Sequence, residues 1–379
     1  MDFELSDALK TVQETARNFA EKELKPRAIE DDETKEFPAE PFKKMGELGL
    51  IGTAYPEEYG GGGLGELSYV LAVEEISKVH AALGITLSVC ASLFSGAIFD
   101  NGSEAQKKKY LPEVLAGTKI GAFGVTEPNA GSDLGNLQTV AVKKGDHYVL
   151  NGSKIFITNA PIADYFFVAA VTDKSKGAKG ISAFIVEKGM KGFSVGKREN
   201  TSGLRSAQVS ELIFQDVEVP AENLVGEEGK GFIYALGTLD GGRIGVAAQA
   251  LGIAEGAFER TVEYLKQRVQ FGRPLYKQEY ISFKMADMAT EIEAAKYIVY
   301  KAALDKDKGG RFSVSAAKAK LIAAKTAVDS TLQAIQFHGG YGYTKEFEVE
   351  RMLRDAKVTE IYEGTSEVQR MVIGGSLFR

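Results

Sequence analysis

The hydrophobic period changes twice along this chain, and that constrains its fold more than any single motif. Leu5, Leu9, Val12, Ala16, Phe19 and Leu24 recur at three-to-five-residue steps, with Ser6 as a candidate N-cap and Pro26 as a stop, so the chain opens on an amphipathic helix. Helical patterns continue over 67–79 and 104–115, and the first unit ends near Gly117. From there to about Pro220 the period shortens. The runs 139–142, 148–150, 154–158, 165–171, 181–186 and 211–219 are β-rich and separated by Gly, Asp, Asn and Lys turns. Lys143-Lys144-Gly145-Asp146 has the residues of a hairpin turn. After Gly231 the helical period returns, with Val314, Ala317, Leu321, Ala324, Val328, Leu332 and Ile335 forming one apolar stripe. Helices, then strands, then helices predict an α+β chain in three units, 1–118, 119–229 and 230–379. The long, alanine-rich helices of the last unit suit both a bundle and a subunit interface.

Composition removes several classes of function. At 379 residues the chain is too long for one simple core. Its 44% hydrophobic and 26% charged residues are those of an ordinary globular protein. No apolar run reads as long enough to cross a bilayer, so no membrane insertion is expected. The acidic start Met1-Asp2-Phe3-Glu4 lacks a signal-peptide profile, which predicts a cytoplasmic protein. Cys90 is the single cysteine, so one chain can build neither an internal disulfide nor a cysteine-rich metal site. His80, His147 and His338 are far apart, and no metal site is expected. A net charge of -6 argues against nucleic acid as a partner, while leaving room for a local basic pocket.

Gly60-Gly61-Gly62-Gly63-Leu64-Gly65 spells a dinucleotide-binding G-x-G-x-x-G, but Tyr55-Pro56-Glu57-Glu58-Tyr59 before it is no hydrophobic strand, so the segment reads as a flexible loop. The stretch 123–133 (FGVTEPNAGSD) combines backbone donors, small residues and hydroxyls that suit close approach to a flat ring or a pyrophosphate. Its composition alone favours a structural turn. Glu363 follows Val358, Ile361 and Tyr362 and precedes Gly364 and Thr365, which would place a carboxylate at a backbone break, where desolvation makes a base. By itself it could equally be an exposed structural glutamate, the default for a carboxylate.

The segments 123–133, 151–159 (NGSKIFITN), 239–245 (LDGGRIG), 268–273 (RVQFGR), 336–342 (QFHGGYG) and 361–367 (IYEGTSE) together resemble the acyl-CoA dehydrogenase family, in family order and over essentially the whole chain. The likeness is greatest to bacterial short-chain, butyryl-CoA-type members. It implies a helical N-terminal domain, a middle β-barrel or sandwich and a C-terminal four-helix bundle. It also implies FAD, with Phe123, Val125 and Thr126 at the flavin ring, Gly131 and Ser132 at the pyrophosphate, and Phe156 and Thr158 at the reactive edge. Many relatives carry Trp where this chain has Phe156, so altered flavin spectra are expected. From a neighbouring subunit, Arg268, Gln270, Phe271, Gln336 and Gly340 would reach the adenosine half. Gln278, Gly339, Thr365 and Glu367 complete the implied FAD set, and the arrangement implies a homo-oligomer, usually a tetramer.

Ser132, Asp240, Arg243, Tyr362 and Gly364 are implied contacts of the acyl-CoA. Some relatives place the base immediately before the arginine, where this chain has Gly242, which leaves Glu363. The implied reaction is α,β-dehydrogenation of a short-chain acyl-CoA to a trans-2-enoyl-CoA, with electrons passing to electron-transferring flavoprotein. A branched or alicyclic acyl group, or less readily glutaryl, remains open. Phe94, in 88–97, stands where a glutaryl-CoA enzyme would have an arginine. An oxidase and a non-catalytic binding relative are the alternatives in function.

Overall fold

The computed structural model describes residues 4–378. The first three residues of the acidic start, Met1 to Phe3, lie outside the described residues. The N-terminal part contains α1 (Asp7–Phe19), α2 (Ala28–Thr34), α3 (Ala39–Glu47), α4 (Glu66–Ser77), α5 (Ala81–Ser88), α6 (Gly96–Asn101) and α7 (Glu104–Leu115). Ser6 caps α1 as expected, its hydroxyl accepting from the Leu9 N–H. Every residue of α4 and α5 is buried. α5 is apolar almost all round, as suits a core helix, whereas α4 buries Glu66, Glu74 and Glu75 paired with Lys306, Lys296 and Arg17, and both pack against the long helix that follows the sheet. The run Ala81–Asn101 corrects the sequence reading on one point. Its 21 residues are long and apolar enough to cross a bilayer, yet 94% of its most apolar window is buried inside the chain. It therefore serves as core.

The glycine segment 60–65 is a loop but not a loose one, contrary to the sequence expectation. The N–H groups of Gly62, Gly63 and Leu64 donate to the carbonyls of Gly52, Tyr55 and Thr53 at 3.0, 2.8 and 2.9 Å. A Cβ on Gly61 would lie 2.0 Å from the Tyr55 oxygen. Glycine is there for close backbone packing.

The middle part is one sheet of β1 (Gly121–Gly124), β2 (Val140–Lys144), β3 (His147–Thr158), β4 (Tyr165–Val171), β5 (Ile181–Glu187), β6 (Phe193–Arg198) and β7 (Val209–Pro220). Its order is β1-β4-β2-β3-β7-β6, with β5 also on β4. The 143–146 segment is the expected hairpin turn between β2 and β3, with Gly145 at φ 63°. The runs 148–150 and 154–158, expected as separate strands, are one strand whose register against β7 slips twice, at Leu150/Gly152 and at Lys154/Ile157. Strands β1 and β6 had no sequence expectation. Phe166, Val168 and Ala170 face the sheet's own core while Phe167 and Ala169 join the helical core, so β4 is buried on both faces.

The C-terminal part contains α8 (Gly231–Gln267), the short hairpin β8 (Val269–Gln270) and β9 (Arg273–Pro274), α9 (Glu279–Asp307), α10 (Ser313–His338), α11 (Val349–Val358) and α12 (Ser366–Leu377). With 37 residues, α8 spans roughly 55 Å. Its first turn packs on the sheet, where a Cβ on Gly231 would lie 2.3 Å from the Ser182 carbonyl carbon. Further along, Gly252 and Gly256 lie against the Glu74 and Lys78 carbonyls. The buried face of α10 is wider than the expected stripe: Ala317 and Ala324 of that stripe are fully buried, but so are Ala316, Ala319, Ala323, Ala327 and Ala334, while Leu332 of the stripe is 57% exposed. Small side chains let α8 and α10 approach closely, so alanine rather than leucine marks the inner face.

Candidate active site

The segment between α11 and α12 is short, and its geometry follows from both ends being fixed. Thr359 donates its hydroxyl to the Ala356 carbonyl, the Ser366 N–H bonds to the Glu360 carbonyl at 2.9 Å, and the Thr365 hydroxyl caps α12 by accepting from the Val368 N–H. The chain turns between these anchors with Glu363 at φ 53° and Gly364 at φ 93°. A non-glycine residue in the left-handed region costs on the order of 1 kcal/mol and persists only where its surroundings enforce it. Here the Gly364 carbonyl accepts from two buried donors, Lys320 Nζ at 2.6 Å and Gln369 Nε2 at 2.7 Å.

The turn drives the Glu363 carboxylate inward. The residue as a whole is half-buried, but its Oε2 is enclosed and has no hydrogen-bond partner. It lies directly over α8, where a Cβ on Gly242 would be 2.1 Å from Oε2 and 2.6 Å from Leu93 Cδ2. Burial pushes the Glu363 carboxyl up to about 7, with Lys320 and Arg243 partly opposing it. A carboxylate of this kind can exchange a proton near neutrality.

Around it, Arg243 pairs with Asp240, which also accepts from the Ser313 hydroxyl, and Arg243 Nε is buried without a partner. Tyr362 donates its hydroxyl to Gln249 Oε1, and Gln249 Nε2 holds the Ala81 carbonyl at 2.9 Å. Glu363, Tyr362, Gly364, Asp240 and Arg243 are thus brought together. Phe94 is instead buried in stacked contact with Tyr165 and against Gly121, and Leu93 is the residue of that segment beside the carboxylate. Lys320, Gln369 and Gln249 carried no sequence expectation. No local signal marked Lys320, since Lys318 and Lys325 also stand among the alanines of α10 and are exposed.

A second group lies on the sheet. Phe123 stacks on Phe167 at 4.8 Å, Val125 is buried and Thr126 half-buried. The buried Glu127 carboxylate, unmentioned by the sequence reading, accepts from Lys154 Nζ at 2.7 Å and from the Gln138 and Thr139 N–H groups at 2.6 and 3.0 Å. Lys154 also donates to the Val125 carbonyl at 3.1 Å. This staple fixes the loop from below and leaves Gly131 and Ser132 exposed, with open space where a Gly131 Cβ would go. At the β3 irregularity Phe156 takes φ 59° and stands 62% exposed, while Thr158 is half-buried. Exposed small residues with free backbone donors beside an outward aromatic ring fit a flavin and its diphosphate.

A third group lies at the far end of α8. Tyr264, Arg268, Gln270, Gly339, Gly340 and Tyr341 are among the residues lining a cleft of about 530 Å³, in which the Arg268 guanidinium lies 5.4 Å from the Tyr341 ring centre. Phe271, at the tip of the β8–β9 hairpin, is 95% exposed at φ 53°. Gln336 is exposed beside the cleft, and Gln278 accepts from Arg273 at 2.8 Å. Thr365 is committed to capping α12, and Glu367, in the first turn of that helix, is exposed.

Three family models match along the chain: the acyl-CoA dehydrogenase N-terminal domain over 6–118, the middle domain over 122–217 and the C-terminal domain over 229–378. The chain belongs to the acyl-CoA dehydrogenase family. This acyl-CoA dehydrogenase is 57% identical to a short-chain specific acyl-CoA dehydrogenase of Clostridium acetobutylicum over 379 residues, covering 100% of both chains. Its fold superposes on butyryl-CoA dehydrogenase from Megasphaera elsdenii with a TM-score of 0.99, at 54% identity and 100% coverage of both chains. The same TM-score, identity and coverage relate it to a chain solved in work on the electron transferring flavoprotein of Acidaminococcus fermentans.

Proposed function

We propose that this acyl-CoA dehydrogenase converts a short-chain acyl-CoA to the trans-2-enoyl-CoA, with Glu363 as the base that removes the α-proton. The reading rests on one observation above the rest: an enclosed, unpartnered carboxylate oxygen held near neutrality over a glycine. A substrate α-carbon entering that space meets an acceptor that has shed its water. Arg243 and Asp240 orient the CoA side, and the Glu363 N–H is a donor for the thioester carbonyl, which sharpens α-proton acidity. A bound FAD would supply the hydride acceptor for the β-hydrogen. Phe123, Val125, Thr126, Gly131, Ser132, Phe156 and Thr158 would hold its ring and diphosphate. Electrons then leave to an electron-transferring flavoprotein, in line with the relative from the A. fermentans work.

Arg268, Gln270, Phe271, Gln336 and Gly340 are assigned to a partner subunit's FAD within a homotetramer, and Gln278, Gly339, Thr365 and Glu367 complete the FAD set. The exposed Ile233, Tyr280, Phe283, Leu332, Met371 and Phe378 supply apolar surface for that assembly. The domain limits 1–118, 119–229 and 230–379 are part of the same proposal, supported by the first strand starting at Gly121 and α8 at Gly231. A cytoplasmic location fits the one buried, unpaired Cys90.

The deciding experiment is Glu363→Gln followed by single-turnover flavin bleaching with butyryl-CoA. FAD and ligand binding persist, and flavin reduction slows by about 10²–10⁴-fold, the usual contribution of a general base. Bleaching at the wild-type rate overturns the assignment.

A further inference from the structure

Within the same site, and resting on Glu363 as its base, one buried cation has no role in the mechanism so far. Lys320 is wholly buried on the alanine face of α10. Burying an ammonium is costly unless it is paired or hydrogen-bonded, so an alanine-lined helix face is an unfavourable place for it. Its Nζ donates to the Gly364 carbonyl at 2.6 Å, and the charge that most favours its protonated form is Glu363, ahead of Glu360 and Glu367.

We propose that Lys320 is the positioning residue of the site: it pins the Gly364 carbonyl so that the left-handed turn keeps the Glu363 carboxylate over Gly242, and its charge keeps that carboxylate available as a base.

The surroundings single it out. Arg243 faces Glu363 from α8 but is paired with Asp240. Tyr69 from α4 and Tyr362 from the same turn are held neutral chiefly by burial, with Glu363 adding to it. Glu360 and Glu367, on either side of the turn, are carboxyl groups and supply no cation. Lys320 is left as the cation not already paired with a carboxylate among the charged groups named here. Gln369 shares the carbonyl but carries no charge, so position and charge are separable. Burial lowers Lys320 to about 8, so at neutral pH the charge is present.

The test is stopped-flow flavin reduction by butyryl-CoA against pH, on holoenzyme of the wild type, Lys320→Met, Lys320→Gln, Lys320→Arg and Glu363→Gln. Lys320→Met should retain FAD while the acidic limb of kcat moves up by about one pH unit and the rate at neutral pH falls about fivefold, with KM changing less. Lys320→Gln, which keeps a donor but no charge, should show the shifted limb, and Lys320→Arg should restore it toward wild type. An unshifted limb in Lys320→Met overturns the proposal. If that variant yields no holoenzyme, an unshifted limb in Lys320→Gln does so instead. Glu363→Gln keeps the two readings apart: if it still reduces flavin, the base is wrong, whereas an inactive Glu363→Gln beside unshifted Lys320 variants removes only the Lys320 proposal.

Discussion

At the residue scale, the burial that fits Glu363 to its proposed role as base also makes it a liability to the fold. Its folded-state pKa of about 7 lies above the ordinary 4.5. Between these values the native state binds more protons than the unfolded chain, so stability from this group is present below the lower value and is lost as pH rises through the upper one. Glu363→Gln removes that loss. The variant should be more stable than wild type by about 1–3 kcal/mol near pH 8, with the gap closing toward about pH 4.5. Urea unfolding of the holoenzymes at the two pH values measures it, and an equal gap at both would mean that Oε2 is solvated. Glu363 was legible because a carboxylate before Gly-Thr fell in order with five other segments. Lys320, Gln369 and Gln249 were not, since each acts from a different helix and nothing local distinguishes a lysine facing a core from one facing water.

Elements set where the groups proposed to hold the flavin point. Strand β3 looked like two strands because apolar spacing reports which side chains are buried, not where a ladder slips, and the slips are fixed by the partner β7. The irregularity at Lys154/Ile157 puts Lys154 inward beneath the 123–133 loop and Phe156 outward. Lys154→Met leaves the Glu127 carboxylate buried without its cation, which costs about 3–5 kcal/mol when one partner of a buried pair is removed. The loop above should loosen first, so the purified variant should carry less flavin per chain, by absorbance, than wild type. Full flavin content with unchanged unfolding would show that the staple is dispensable. In sequence this pair was invisible, being 27 positions apart.

For the whole molecule, the length of α8 bears on how many chains the proposed FAD site draws on. Its first turn lies on the sheet and its last beside the Arg268 cleft, at opposite ends of roughly 55 Å, so the two half-sites of one chain are poorly placed to share one cofactor. Complementation tests this. Ser132→Glu, which puts a charge at the proposed diphosphate position, and Arg268→Ala, which strips the cleft, should each purify poor in flavin. Co-expressed, they form mixed oligomers in which some sites join an intact sheet to an intact cleft, and flavin should return in part. No recovery would mean that each chain serves its own FAD.

Local period and turn chemistry, readable from the sequence, determined the helix-strand-helix order, the Ser6 cap, the hairpin at Gly145 and the ordered set of family segments, because these depend on neighbours a few residues away. Tertiary structure alone decided that the apolar 81–101 run is core and not membrane, that alanines line the inner face of α10, and that Glu363 is enclosed. Burial is a property of what other elements bring. The same Glu-Gly-Thr at an open turn would be a solvated carboxylate of ordinary pKa; Gly242 and Leu93 beneath it and Lys320 behind it make it a candidate base.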